Sequence, residues 1–244
     1  AFIRVKQLQD PEYNMSHNLL FCTRKGVIKK TKLEAYSRPR QNGVNAITIR
    51  EDDQVIQVRL TTGDSQIIMA NKHGRAIRFH ESTVREMGRT ATGVRGMTLD
   101  ETGDDEVIGM ICIKDPEKET VMVVSEQGYG KRSEIEDYRI TNRGGKGVKT
   151  LNITEKTGNL VAIKSVTDEN DLVIINKSGI TLRMKVADVR IMGRATQGVR
   201  LINLEKRNDE IASVCKVLSE TESDSSNSEN IDSASEINEA EASE

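Results

Sequence analysis

Apolar residues in this chain gather in short runs between polar turns, and nowhere do they recur at the spacing of a long amphipathic helix. Runs at 67–70, 120–124 and 172–175 are continuous and β-rich, whereas those at 53–60, 106–113, 159–166 and 210–217 alternate apolar with polar after an acidic or polar turn. Both patterns predict strands, so the chain is expected to be all-β. Residues 1–5, AFIRV, match the end of an alternating run and begin without Met. They are read as the remnant strand of a preceding unit, which makes the chain a fragment. Residues 7–16, with Asp10-Pro11, read as a polar loop, and 61–65, 114–119 and 167–171 as short links.

Aligning the runs shows one segment written four times, beginning LLFCTRKG at Leu19, IIMANKHG at Ile67, VMVVSEQG at Val121 and LVIINKSG at Leu172. A first glycine recurs at Gly26, Gly74, Gly128 and Gly179, and a second at Gly43, Gly93, Gly147 and Gly198. The period of about fifty residues signals blades or a solenoid, and the β-rich content favours propeller-like blades. WD-type blades are excluded by a longer period and by the absence of Trp. Blades are expected at 17–60, 65–113, 119–166 and 170–217, after a 1–16 segment and before a 218–244 tail.

Basic charge also recurs. Four residues after the first glycine stand Lys30, Arg78, Arg132 and Arg183. Four before the second stand Arg89, Arg143 and Arg194, with Pro39 between Arg38 and Arg40 in the first copy. Arg85, Arg139 and Arg190 lie eight before it, and Arg95, Lys149 and Arg200 two after, where the first copy has Asn45. Arg and Lys on exposed strands often only solubilise edges. Solubility does not select register, however, so placement at fixed offsets in diverged copies points to a cationic belt for a polyanion.

The net charge of −2 hides this pattern. Residues 219–244 hold nine acidic residues, eight serines and no Lys or Arg, leaving 36 basic against 29 acidic residues in the remainder. A body of +7 thus adjoins a tail of −9. The tail has too little apolar content to offset its chain entropy and is expected to be disordered, either as a solvated appendage or as a tethered competitor for the belt.

Catalytic and metal chemistry find little support. Cys22, Cys112 and Cys215 fall singly in predicted strands, with neither disulfide nor metal-knuckle spacing. His17, His73 and His80 sit near turns or strand ends without a neighbouring carboxylate pair in sequence, so no metal site is expected. The spans 88–93 and 193–198 have the outer glycine spacing of a phosphate loop, but Val and Arg follow where Lys and Ser or Thr are needed. No nucleophile stands in a recognisable triad order. No apolar stretch has membrane-spanning length and no signal peptide is visible, so a cytoplasmic protein without a membrane partner is expected.

The most distinctive short motif is Arg143-Gly144-Gly145-Lys146-Gly147, where paired glycines and flanking cations suit close approach to a phosphate, or simply a tight basic turn. With it, the fourfold GxxxK/R pattern and the phrases VREMGRTATGVRG, QGYGKR and VRIMGRATQGV resemble the C-terminal domain family of DNA gyrase A-type subunits. The resemblance covers residues 1–217. It implies a β-pinwheel of four complete four-stranded blades plus a remnant strand, with neighbours exchanging strands and duplex DNA wrapped around a basic perimeter. It further implies partnership with the rest of the gyrase A-type subunit, and with the gyrase B-type subunit, in a heterotetramer that uses ATP and magnesium to introduce negative supercoils, with no cofactor in this segment. The catalytic tyrosine would lie elsewhere, leaving Tyr13, Tyr36, Tyr129 and Tyr138 without that role. The four blades correspond to the last four of six. The family's Gln-Arg-Arg-Gly-Gly-Lys-Gly box belongs to the absent first blade, and TNRGGKG at 141–147 keeps only its last five residues. A topoisomerase IV counterpart that positions DNA for decatenation is the nearer alternative; a protein-interaction propeller is the more remote one, given 3% aromatic residues.

Overall fold

The computed structural model describes residues 1, 3–101, 103–204 and 209–219. From 220 onward the expected tail, and its proposed competition for the belt, lie outside the described residues. The strands are β1 (Asn18–Thr23), β2 (Val27–Lys32), β3 (Val55–Thr61), β4 (Gln66–Asn71), β5 (Arg75–His80), β6 (Val94–Arg95), β7 (Val107–Ile113) and β8 (Thr120–Ser125). They continue with β9 (Tyr129–Glu134), β10 (Val148–Lys149), β11 (Leu160–Val166), β12 (Asn170–Asn176), β13 (Thr181–Lys185), β14 (Val199–Arg200) and β15 (Ile211–Leu218). Three sheets have four strands, in the orders β3-β1-β2-β6, β10-β5-β4-β7 and β11-β8-β9-β14, and the fourth has three, β13-β12-β15. All pairings within them are antiparallel.

The outermost strand of each four-stranded sheet comes from the following repeat. Val94 of β6 pairs with Ile28, Val148 of β10 with Ala76, and Val199 of β14 with Gly130. Each repeat therefore builds three strands of its own blade, and the second, third and fourth each lend one to the blade before. This lending corrects the expectation of four four-stranded blades: the fourth sheet, with no following repeat among the described residues, stops at three.

Both repeated glycines stand where two copies touch. Gly93 has φ +103°, and a β-carbon there would sit 2.7 Å from the Ile28 carbonyl oxygen. Gly26 has φ +81°, with the Met97 oxygen 2.6 Å from such a carbon. Only a residue without a side chain permits that approach in the left-handed conformation. At Gly43 and Gly179, the outer ends of the series, nothing lies within 4 Å of the same position.

Apolar cores fill the junctions. Leu20, Ile28, Ile67, Met69, Phe79 and Met110 form one between the first and second blades, Ile68, Ile111, Val121, Ile135 and Tyr138 the next, and Met122, Val124, Leu172, Ile174 and Val189 the third. Strands covered on both faces lose polar alternation, which is why β1 and β8 are buried along their whole length. Innermost strands β3, β7, β11 and β15 contact one another in succession, placing the lent strands on the rim.

The N-terminal segment differs from its sequence reading. The described residues of 1–5 form no strand; instead Ile3, Val5, Leu8 and Tyr13 pack on the outer face of the first blade, beside Leu19 and Phe21. The polar 7–16 connection contains a short helix, α1 (Pro11–Ser16), because the Asp10 carboxylate caps the Glu12 and Tyr13 amides and proline fits the first turn.

Candidate nucleic-acid interface

The first recurrent cation turns inward. Lys30, Arg78 and Arg132 are buried, at 6%, 3% and 6% exposure. Each reaches across a junction to a short 3₁₀ turn in the next blade. Lys30 Nζ donates to the Glu81 carbonyl at 3.4 Å, Arg78 Nη1 to the Ile135 and Tyr138 carbonyls, both at 2.8 Å, and Arg132 Nε to the Val189 carbonyl at 2.9 Å. Arg132 also pairs with Asp168, and Arg78 with the Gln66 side chain. These three are therefore corrected from perimeter cations to fasteners between blades. The physical reason is the segment arriving from the next repeat: its 3₁₀ turn and the residues just past it pack against the cation-bearing ends of β2, β5 and β9, so side chains that would face water face a neighbour. Arg183, at the same offset in the last copy, is exposed and bonds Asp171 Oδ2 at 2.8 Å.

The remaining cations ride on the lent segments. Arg85, Arg139 and Arg190 follow the 3₁₀ turns at Glu81–Thr83, Ile135–Asp137 and Val186–Asp188, are exposed, and have no hydrogen bond or ion pair among the described residues. Arg95, Lys149 and Arg200 are exposed on β6, β10 and β14. Arg200 donates to the Tyr129 hydroxyl at 3.1 Å and lies over its ring, while Lys149 donates to Asn152 at 3.2 Å. Arg38 and Arg40 are exposed in the first copy.

Arg89, Arg143 and Arg194 are half-buried. Arg143 donates to the Thr83 and Arg95 carbonyls at 3.0 and 2.9 Å, and Arg194 to the Asp137 and Lys149 carbonyls at 3.0 and 2.8 Å. A guanidinium has five N–H donors, so each keeps capacity for an outer acceptor. In the RGGKG motif, the Gly144 amide is already bonded to the Gly96 carbonyl at 2.6 Å and Gly147 carries φ +75°. Those two glycines serve the junction. Gly145 and Lys146 are exposed and, with Arg139, line a hollow of about 370 Å³.

Several residues escaped the sequence reading. Lys29 and Lys131 are fully buried, with Lys29 Nζ donating to the Ala46 carbonyl at 2.7 Å and Lys131 Nζ to the Gly193 carbonyl at 2.6 Å; burial pushes both ammonium groups down to about 8. Their recurrence in two copies, three residues after the first glycine, was the available signal. Exposed Arg75 lies opposite Lys149 across the β5–β10 pair. His73 and His80 are not remote from carboxylates: His73 Nδ1 is 3.2 Å from Asp100 Oδ2, and His80 Nε2 is 3.1 Å from Asp64 Oδ1. Burial opposes the charge on His73, but hydrogen bonding to Asp100 and the charges of Asp105 and Asp104 outweigh it and raise its pKa.

A family model described as the DNA gyrase C-terminal domain, beta-propeller, matches residues 17–62, 65–114, 119–167 and 170–215. The A-type subunit of DNA gyrase from Staphylococcus aureus strain NCTC 8325 is 45% identical over 229 residues, 94% of this chain and 25% of that protein. The same protein of strain MRSA252 is 48% identical over 204 residues, 84% of the chain and 22% of that protein. The chain thus spans about a quarter of the length of these relatives. Among solved structures, a DNA topoisomerase IV C-terminal domain aligns with TM-score 0.79 at 26% identity, covering 86% of this chain and 64% of that one. A DNA gyrase A C-terminal domain aligns with TM-score 0.74 at 26% identity, covering 86% and 68%.

Proposed function

The chain belongs to the DNA gyrase C-terminal domain family, and from that membership we propose that it binds duplex DNA along its rim, without reading base sequence, and bends the duplex around it. The observation that carries this reading is the position of the lent segments. They place Arg85, Arg139 and Arg190 at equivalent exposed sites on three successive junctions, with Arg95, Lys149 and Arg200 on the adjoining edge strands. Phosphate contacts of this kind fix the path of a duplex and carry no sequence information. A forked guanidinium suits phosphate oxygens, and neighbouring positive charge such as Arg75 opposite Lys149 is unfavourable without an anion. Arg38, Arg40, Arg89, Arg143, Lys146, Arg183 and Arg194 extend the same surface.

In the whole protein this domain would present wrapped DNA to a strand-passage core, working with the gyrase B-type subunit in the cytoplasm and supporting ATP-dependent negative supercoiling. ATP and magnesium belong to that larger assembly, and the catalytic tyrosine to another part of the A-type protein. A topoisomerase IV role has the structural alignment in its favour, but the family model and the 45% identity to a gyrase A-type protein favour gyrase.

The test is DNA affinity across a salt series, paired with relaxation of bound DNA circles by topoisomerase I. About eight neutralised phosphates give a log–log slope of roughly −7. Wrapping leaves a linking-number change after relaxation, whereas simple binding leaves none. A slope near zero removes the binding reading, and an unchanged linking number with a steep slope removes the wrapping.

A further inference from the structure

The second repeat contains a cluster that the DNA reading does not use. His73 sits in the β4–β5 turn, and Asp100 and Asp105 sit in the loop between β6 and β7. One ligand atom from each of the three lies within 4.8 Å of the other two. His73 Nδ1 is 3.2 Å from Asp100 Oδ2 and 3.8 Å from Asp105 Oδ1.

Asp105 is the informative member. Its side chain is fully buried, and Oδ2 accepts from the Asn71 side chain at 2.7 Å and the Asp100 amide at 3.0 Å. Those bonds lock the carboxylate and turn Oδ1 toward His73, where it has no hydrogen-bond partner. A buried carboxylate oxygen without a partner is costly, and here it is held in place by its own neighbours. On the far side of the ring, His73 Nε2 is 3.5 Å from Asp104 Oδ1. A carboxylate there fixes the tautomer that leaves Nδ1 as a lone-pair donor, the outer arrangement typical of metal-binding histidines.

The corresponding places in the other copies are occupied differently. Asp53 accepts from the Lys25 amide at 2.9 Å and Asp209 from the Ser178 hydroxyl at 2.6 Å, while the third copy has Gln127 and Gly158. The aspartate before the innermost strand normally ties down the hairpin turn. Only the second copy pairs it with an imidazole and a second carboxylate.

We propose that His73 Nδ1, Asp100 and Asp105 bind one first-row divalent cation of the zinc class, pinning the β6–β7 loop to the β4–β5 turn. Tetrahedral zinc bonds to nitrogen and oxygen of ~2.0–2.2 Å place ligand atoms about 3.3–3.6 Å apart. The Nδ1–Asp100 separation of 3.2 Å already suits that spacing, the Nδ1–Asp105 separation of 3.8 Å must close by about 0.4 Å, and the remaining pair, which lies within 4.8 Å, by at most about 1.4 Å. One imidazole with two carboxylates favours zinc or manganese over magnesium or calcium, which prefer all-oxygen sites. This assignment does not depend on DNA binding.

The test is calorimetric titration of the whole 244-residue chain with zinc, with magnesium and calcium as separate arms. One zinc should bind per chain, and zinc at a hundred times its Kd should raise Tm by about 5–10 °C. His73→Gln and Asp100→Asn should each abolish the site, while Asp104→Asn weakens it roughly tenfold. Circular dichroism confirms that each variant is folded; Asp100 is half-exposed, so its variant keeps the test open if His73→Gln fails to fold. Binding that survives both substitutions, no saturable binding below millimolar zinc, or a thiolate charge-transfer band with cobalt that points to a cysteine would overturn the proposal. So would magnesium binding as tightly as zinc.

Discussion

Replacing Arg78 with methionine separates fastening from DNA contact. Methionine keeps much of the apolar stem but removes every donor. Two bonds of 2.8 Å to the Ile135 and Tyr138 carbonyls disappear, together with the contact to Gln66. Ile135 O retains the Tyr138 amide at 3.1 Å, so the uncompensated acceptors are Tyr138 O and the Gln66 side chain. Charge-assisted hydrogen bonds contribute about 1.5–3 kcal/mol each and an orphaned buried acceptor costs about 1–3 kcal/mol. Allowing for relaxation, the loss is about 3–5 kcal/mol, in the range for breaking a buried ionic contact. For a domain of this size that lowers Tm by roughly 6–20 °C. The assay is thermal unfolding beside a DNA-binding salt series at a temperature where the variant is still folded. Arg78→Met should lose stability and keep the wild-type salt slope. Arg139→Ala should do the reverse, with stability within about 0.5 kcal/mol and the slope reduced by about 0.9. If folded Arg78→Met loses a full unit of slope, Arg78 is a phosphate contact and the reasoning from burial is wrong.

Two further outcomes follow from the junctions. Gly93→Ala must place a β-carbon 2.7 Å from the Ile28 carbonyl oxygen at φ +103°, so chemical denaturation should show a loss above about 2 kcal/mol; Gly43→Ala, with φ +75° and open space, should lose only the about 1–2 kcal/mol of left-handed strain. Equal losses would mean that steric approach is not what these glycines serve. For Lys131, a folded pKa of about 8 lies below the unfolded value of about 10.4, so the unfolded chain holds the extra proton between them and this residue's contribution to stability rises with pH across that interval. The stability of the wild type relative to Lys131→Met should therefore climb from pH 8 to pH 10; a flat difference would show that the ammonium is not disfavoured by burial.

The repeat, the β class and the strand runs were legible because periodic side chains and turn glycines are local signals. The inward turn of Lys30, Arg78 and Arg132 was not. Spacing from a glycine gives the register of a cation along a strand, but which face is covered depends on the 3₁₀ turn that packs against it from the next copy. Arg85, Arg139 and Arg190 share the same repeat logic yet stay exposed, since they lie on the arriving segment itself. His73 and Asp105 are thirty-two positions apart and meet only because the β4–β7 pairing closes that interval. The α1 cap at Asp10 was present in sequence as Asp-Pro, and was masked by the polarity around it.

Strand lending also puts the unit of duplication out of phase with the unit of folding. One copied stretch of sequence contributes to two sheets, so inserting or deleting a copy re-forms the same kind of joint on either side of the change. Blade number in such a chain can drift by whole repeats without inventing a new interface, while a cut inside a repeat leaves one sheet short of its edge and another short of its centre.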